Sequence, residues 1–221
     1  MKNILIYGAS GHAKMIIDII EKNKSHAIKG FIDSYKPIGL ELNGYTILGH
    51  LEDLQKVSQE HKIDGIVVAI GDNFKRKNIV KAIEKATPNL QFFTVIHPTA
   101  TLAQDISIDV GTVIMANTVI NAGAKVGKQC IINTASTLGH DSILDDFSSL
   151  ASGVTIAGNV SIGKCSAIGL RAIVIQSLTI GNNTVIGAGS LVLKSIGHLK
   201  TAFGNPIHTV KNRNEDSPYL G

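Results

Sequence analysis

From residue 96 onward every sixth residue is aliphatic, and the register never slips. The series runs Ile96, Leu102, Ile108, Ile114, Ile120, Val126, Ile132, Leu138, Leu144, Leu150, Ile156, Ile162, Ile168, Val174, Ile180, Ile186 and Val192. A helix repeats near 3.6 residues and a half-buried strand near 2, so neither period accounts for seventeen successive matches at a spacing of six. A fixed repeat of this kind is the signature of a solenoid. Two positions before each aliphatic residue stands a mostly small one, such as Ala124, Cys130, Ser136, Ser142, Ser148 or Ser166. The position after it is often Gly or a turn residue, such as Gly127, Gly139, Asp145, Gly163 or Gly181. One large and one small inward residue per hexad suit a narrow triangular coil, in which three hexads close one turn of 18 residues. Stacked coils then pair as parallel strands at about 4.8 Å, and seventeen hexads give a prism on the order of 27 Å long.

The first 95 residues have a different grammar. Ile4-Leu5-Ile6-Tyr7 reads as a strand, Gly8-Ala9-Ser10-Gly11-His12 as a turn, and Ala13 to Asn23 as an amphipathic helix. Lys29 to Asp33 reads as a second strand, Gly44 to Leu48 as a short extended piece, and Leu51 to Lys62 as a helix. A third strand, Gly65 to Asp72, is followed by a helix to about Ala86, and Phe92 to Ile96 leads into the repeats. Strand, glycine turn and helix in succession predict a small βαβ domain with a Rossmann-like parallel sheet. Such sheets bind ligands at the C-terminal ends of their strands. The Gly-x-x-Gly turn is not the full dinucleotide fingerprint. Polar residues nevertheless follow all three strands, at Ser10, Asp33 and Asp72. The expected domains are therefore 1–95, 96–192 and a C-terminal cap or tail over 193–221.

Composition narrows the function. The net charge of +4 is thinly spread, and the strongest basic run is Lys75-Arg76-Lys77. Aromatic residues make up 5% with no Trp, so neither phosphate tracking nor base stacking is indicated and no nucleic-acid partner is expected. No apolar run reaches the length of a membrane span. Two cysteines, Cys130 and Cys165, make no disulfide framework, and a cytoplasmic location is expected. Of the eight histidines only His140 lies inside the hexad array after its first rung, two residues past Leu138 on an outward position, with Asp141 next to it. A three-histidine zinc site on the prism is therefore not expected, and neither is any other metal.

Nearly the whole chain resembles the sugar O-acyltransferases of the sialic-acid and bacillosamine type, which include hexapeptide-repeat N-acetyltransferases of nucleotide-linked 4-amino sugars. The resemblance is carried by Tyr7-Gly8-Ala9-Ser10-Gly11-His12, Phe31-Ile32-Asp33, Ala69-Ile70-Gly71 with Arg76 beyond, Ile96-His97-Pro98, Asn133 to Ser136 with His140-Asp141, and Phe203-Gly204-Asn205-Pro206. It implies a left-handed parallel β-helix, the known exception to right-handed crossovers. It implies a nucleotide-sugar site at Ser10, Gly11, His12, Asp33, Ser34, Gly71 and Arg76. It implies His140 as general base with Asp141 behind it, where the family often has the longer Glu. Acetyl-CoA would contact Ser149, Gly158, Leu170, Ala188 and Pro206, in a groove between subunits of a homotrimer. Ser149 replaces a histidine of close relatives, and Ser34 stands where the family can have a second acid. The activity so implied is acetyl transfer from acetyl-CoA to the 4-amino group of a nucleotide-linked 4-amino-4,6-dideoxyhexose, with direct attack on the thioester and no acyl-enzyme. O-acetylation of a sialic acid and non-catalytic binding of a nucleotide sugar are the alternatives.

Overall fold

The computed structural model describes residues 1–220, and its chain divides into two compact units. The first comprises Met1–Gly71 with Lys75–Pro98, and the second Asp72–Phe74 with Thr99–Gly221.

In the first unit the elements are β1 (Lys2–Tyr7), α1 (Gly11–Asn23), β2 (His26–Ile32), β3 (Glu41–Leu42), β4 (Tyr45–Gly49), α2 (Leu54–Glu60), β5 (Gly65–Val68), α3 (Asn73–Ala86) and β6 (Gln91–Phe92). The sheet order is β3-β4-β2-β1-β5-β6. All pairs are parallel except β3 with β4. β1 is central, and its Ile4, Leu5 and Ile6 are fully buried, as are Ile16, Ile19 and Ile20 of α1. That burial on both faces is why the strand reads as a continuous apolar run rather than an alternating one. The sequence expectation differs at four places. β2 begins at His26, three residues before the expected Lys29. The helix expected from Leu51 opens as a 3₁₀ turn, Leu51–Asp53, before α2. The small antiparallel partner β3 has no apolar pattern to announce it. The third strand stops at Val68, four residues short of Asp72, although Ala69 N–H still donates to the Tyr7 carbonyl at 2.7 Å.

The second unit is the hexad prism. Each rung contributes a two-residue strand, and pairing runs at an offset of 18: Val113 with Ile131, Ile131 with Ser149, Ser149 with Ala167, and Ala167 with Val185. Three parallel sheets result. From Ile114 to Val192 the repeated aliphatic residues are buried, whereas Ile96, Leu102 and Ile108 in the first coil are only partly covered. An end coil lacks a neighbour on one side.

The small inward phase does more than save space. The buried hydroxyls of Ser142, Ser148 and Ser166 donate to the carbonyls of Ala157, Gly163 and Gly181 at 2.9, 2.7 and 2.6 Å. The same hydroxyls accept the backbone N–H of Val160, Ser166 and Thr184 at 3.0, 3.2 and 3.0 Å. Each column residue thereby satisfies backbone groups one coil away that a coil corner would leave without ladder partners. Another phase of the hexad is left-handed: Asn117, Gln129, Ala135, Asp141, Phe147 and Asn159 have φ between 56° and 59°. The last segment extends a prism sheet. Lys200–Gly204 pairs in parallel with the Val185–Ile186 strand and turns through Asn205-Pro206 to an antiparallel strand, Ile207–Asn212.

Candidate active site

In the first unit, the turn after β1 is built by contacts from the neighbouring strand ends. Gly8 has φ +93°, and a Cβ there would meet Ile70 Cδ1 at 2.9 Å and the Ala69 carbonyl oxygen at 3.1 Å, so the position requires glycine. Ala9 N–H donates to Asp33 Oδ2 at 2.8 Å. Asp33 Oδ1 accepts from the N–H groups of Tyr35 and Lys36 at 2.9 and 3.1 Å. Burial pushes the Asp33 carboxyl up, but these N–H groups and the Lys36 charge outweigh it and hold its pKa below the ordinary value. Ser10 occupies the N-cap position of α1, yet its side chain makes no cap bond, and no acid stands in the first turn. The helix N-terminus thus has neither a side-chain cap nor an acid of its own against its dipole.

Ser34 Oγ lies 2.6 Å from Tyr7 Oη. Arg76 is 1% exposed, and its guanidinium donates to the carbonyls of Ile70 and Gly71, both at 2.9 Å. The ring nitrogen Nε2 of His12 is buried without a hydrogen bond. Burial and then the Arg76 charge lower the His12 pKa to about 4, so its imidazole is neutral at pH 7.

Of the residues that the family resemblance implies at a nucleotide-sugar site, Ser10, Gly11 and His12 follow β1, Asp33 and Ser34 follow β2, and Gly71 and Arg76 follow β5. Two of them also serve the fold. Asp33 accepts three backbone N–H groups and ties the loops together. Arg76 is buried and holds the carbonyls just past β5. Apolar periodicity carries no signal for either, because both depend on bonds to backbone groups of other loops.

In the second unit, His140 follows the Thr137–Leu138 strand and sits at the corner before the Ile143–Leu144 strand. Its Nδ1 is 2.8 Å from Asp141 Oδ2, so the shorter acid does reach the imidazole. Both side chains are 61% exposed. The backbone beneath them is tied to both neighbouring coils. Asp141 N–H donates to the Ala122 carbonyl, and the His140 carbonyl accepts from Asn159 N–H, each at 2.9 Å.

The residues expected at the coenzyme separate into two groups. Leu170 and Ala188 are exposed on a different corner, the one that follows the Ala167–Ile168 and Val185–Ile186 strands, and Ser149 lies on the sheet leading to that corner. Pro206 is exposed in the terminal hairpin. Gly158, in contrast, sits one coil from His140 with the imidazole directly over its Cα. Within one chain the His140 corner and the Leu170–Ala188 corner are therefore separate. Cys130 and Cys165 are both buried. Among the described residues no cluster of three or more His, Cys, Asp or Glu has metal-binding geometry, and no helix is long and apolar enough to cross a membrane.

The fold has known counterparts. Residues 3–83 match the family model described as the PglD N-terminal domain. Over 96% of this chain and 98% of the other, the fold superposes with a TM-score of 0.89 and 27% identity on a perosamine N-acetyltransferase variant from Caulobacter crescentus, solved with CoA and GDP-perosamine. The acetyltransferase domain of PglB from Neisseria gonorrhoeae superposes at 0.85 with 29% identity, over 94% of this chain and 99% of that one. WeeI from Acinetobacter baumannii superposes at 0.84 with 26% identity, over 94% of this chain and 99% of that one. Among curated sequences, serine acetyltransferase 2 of Arabidopsis thaliana is 25% identical over 98% of this chain, which spans only 58% of that relative's length. Fold and site thus define the class of hexapeptide-repeat acyltransferases. Residues 3–83 carry the PglD N-terminal domain, and over nearly the whole chain the likeness is to sugar N-acetyltransferases.

Proposed function

We propose that this protein transfers the acetyl group of acetyl-CoA to the 4-amino group of a nucleotide-linked 4-amino-4,6-dideoxyhexose. The observation that carries the reading is the His140–Asp141 pair, hydrogen-bonded at 2.8 Å and projecting from a prism corner. A sugar amine arrives largely as an ammonium and is not nucleophilic until it loses a proton. A histidine titrates near neutral pH and suits that task, and such a base is worth about 10²–10⁴ in rate. Asp141, on Nδ1, favours the tautomer that leaves Nε2 free to accept the amine's proton. The amine nitrogen then attacks the thioester carbonyl, the tetrahedral intermediate collapses, and the CoA thiolate leaves. No enzyme nucleophile is required.

The first unit would hold the nucleotide, its diphosphate on the N–H groups of the Gly8–His12 turn and α1, with His12 a neutral hydrogen-bond partner. Asp33 and Arg76 shape that turn. The coenzyme would bind where the Ser149, Leu170 and Ala188 face of one chain meets the His140 corner of another, in a homotrimer of a cytoplasmic enzyme. The separation of those two corners within one protomer supports the shared groove. The reading is tested by thiol release from acetyl-CoA with UDP-, dTDP- and GDP-linked 4-amino-4,6-dideoxy sugars. Saturable release with one of them is expected, and release only with hydroxyl acceptors such as sialic acids would replace it with O-acetylation. A monomer in analytical ultracentrifugation at assay concentration would rule out the shared groove.

A further inference from the structure

Two glycines flank the dyad at the coil repeat, Gly123 18 residues before Asp141 and Gly158 18 residues after His140. We infer that both are positioning residues, and that the side chains they lack are the slots in which the Asp141 carboxylate and the His140 imidazole lie. The inference rests on His140 acting as the base. A Cβ built on Gly158 would fall 2.7 Å from His140 Cδ2 and nearer still to Nε2. A Cβ built on Gly123 would press on Asp141 Oδ1, with Cγ at 3.4 Å. Carbon cannot approach a ring that closely, so alanine at either position forces the dyad aside.

Backbone conformation does not explain these glycines. Gly158 has no positive φ. Two residues past the aliphatic position, sixteen rungs run from Gln104 to Lys194, and Gly158 is the only glycine among them. The one rung without a side chain is the one stacked on the base. Gly123 does lie in the left-handed phase, with φ +69°, but Ala135 and Asn117 occupy the same phase at 57°. Gly189 shares that phase at φ +66° with nothing within 4 Å of its Cβ position, so Gly189→Ala carries the backbone strain without the clash.

The test uses the full-length protein with Gly158→Ala, Gly123→Ala and Gly189→Ala, each read by steady-state kinetics and by the ¹⁵N resonances of His140. Gly158→Ala is expected to lower kcat about 10²-fold, toward the level of His140→Ala, with the KM values for acetyl-CoA and acceptor nearly unchanged. In a His140→Ala background it should cost nothing further. Gly123→Ala should match Asp141→Asn and not add to it. Gly189→Ala should keep kcat within about twofold and leave the His140 resonances in place. If Gly158→Ala folds poorly, His140→Ala with Gly158→Ala should regain the melting temperature, because the clash is gone. A Gly158→Ala variant that multiplies the loss in His140→Ala, or that raises the acetyl-CoA KM at constant kcat, would overturn the inference. His140 resonances unmoved by either slot variant would overturn it too, whatever the rates. Resonances that move while kcat stays constant would leave the slots standing and remove His140 as the base.

Discussion

The two units place their functional groups by different rules. In the prism, position along the chain sets position in space. Adding 18 to a residue number moves up one coil on the same corner, so Gly123, Asp141, His140 and Gly158 are neighbours by arithmetic. In the βαβ unit no period relates Asp33 to Ala9 or Arg76 to Ile70, and the turn is shaped by polar bonds between loops. A repeat thus builds a precise site from local rules, and errors within it stay local. The sheet edge builds its site from a few long-range bonds, each of which holds more than one loop.

Breaking the dyad should give the largest effect. His140→Ala is expected to lower kcat by about 10²–10⁴ while melting temperature and nucleotide affinity stay near wild type. Calorimetric binding beside turnover checks this, and equal losses in both would mean that the histidine is structural. On the other unit, Asp33→Ala removes the acceptor of three backbone N–H groups. Hydrogen bonds to a charged group contribute about 1.5–3 kcal/mol each. A loss of several kcal/mol is therefore expected, felt in the first unit alone. Hydrogen-exchange mass spectrometry should show faster exchange around the Gly8–His12 turn and unchanged protection in the prism, and uniform loosening would contradict the division.

His12 sharpens the comparison through pH. Its pKa is depressed from 6.5 to about 4, so the unfolded chain takes up a proton before the folded one does. Stability of the first unit should fall as pH drops from about 6.5 toward 4, by up to about 3 kcal/mol. Asp33, whose folded pKa lies below its ordinary value, adds a separate loss only at lower pH. Urea midpoints at pH 7 and pH 4.5 should converge in His12→Gln, and an unchanged pH dependence would mean that His12 is not the group responsible. The smallest effect is expected from Asp141→Asn. Both partners of the pair are well exposed in the protomer, where solvent screens the interaction. A loss in kcat of about tenfold is expected, and a loss as large as that of His140→Ala would show the pair to be desolvated in the working assembly.

The sequence was most informative where structure repeats. Seventeen aliphatic hexads were enough to expect the coil, its 18-residue turn and an outward His140. The same arithmetic would have exposed Gly123 and Gly158 as neighbours of the dyad, had it been applied to glycines as well as to side chains. The inward hydroxyls were legible as small residues but not as a hydrogen-bonded column, since size alone does not reveal which carbonyl a serine reaches. In the βαβ unit the strands and turns were legible from apolar runs and glycines. The backbone bonds of Asp33 and Arg76 were not, because a charge in a turn looks the same in sequence whether it faces a ligand or another loop.

The central claim is acetyl transfer to nitrogen on a nucleotide-linked sugar. Its most direct test is NMR of the product formed from acetyl-CoA and the accepted nucleotide 4-amino sugar. The account predicts a new amide proton coupled to the sugar C4 proton, formed by wild type and nearly absent with His140→Ala. An acetyl ester on a sugar oxygen, or no product from any nucleotide-linked amine, would contradict it.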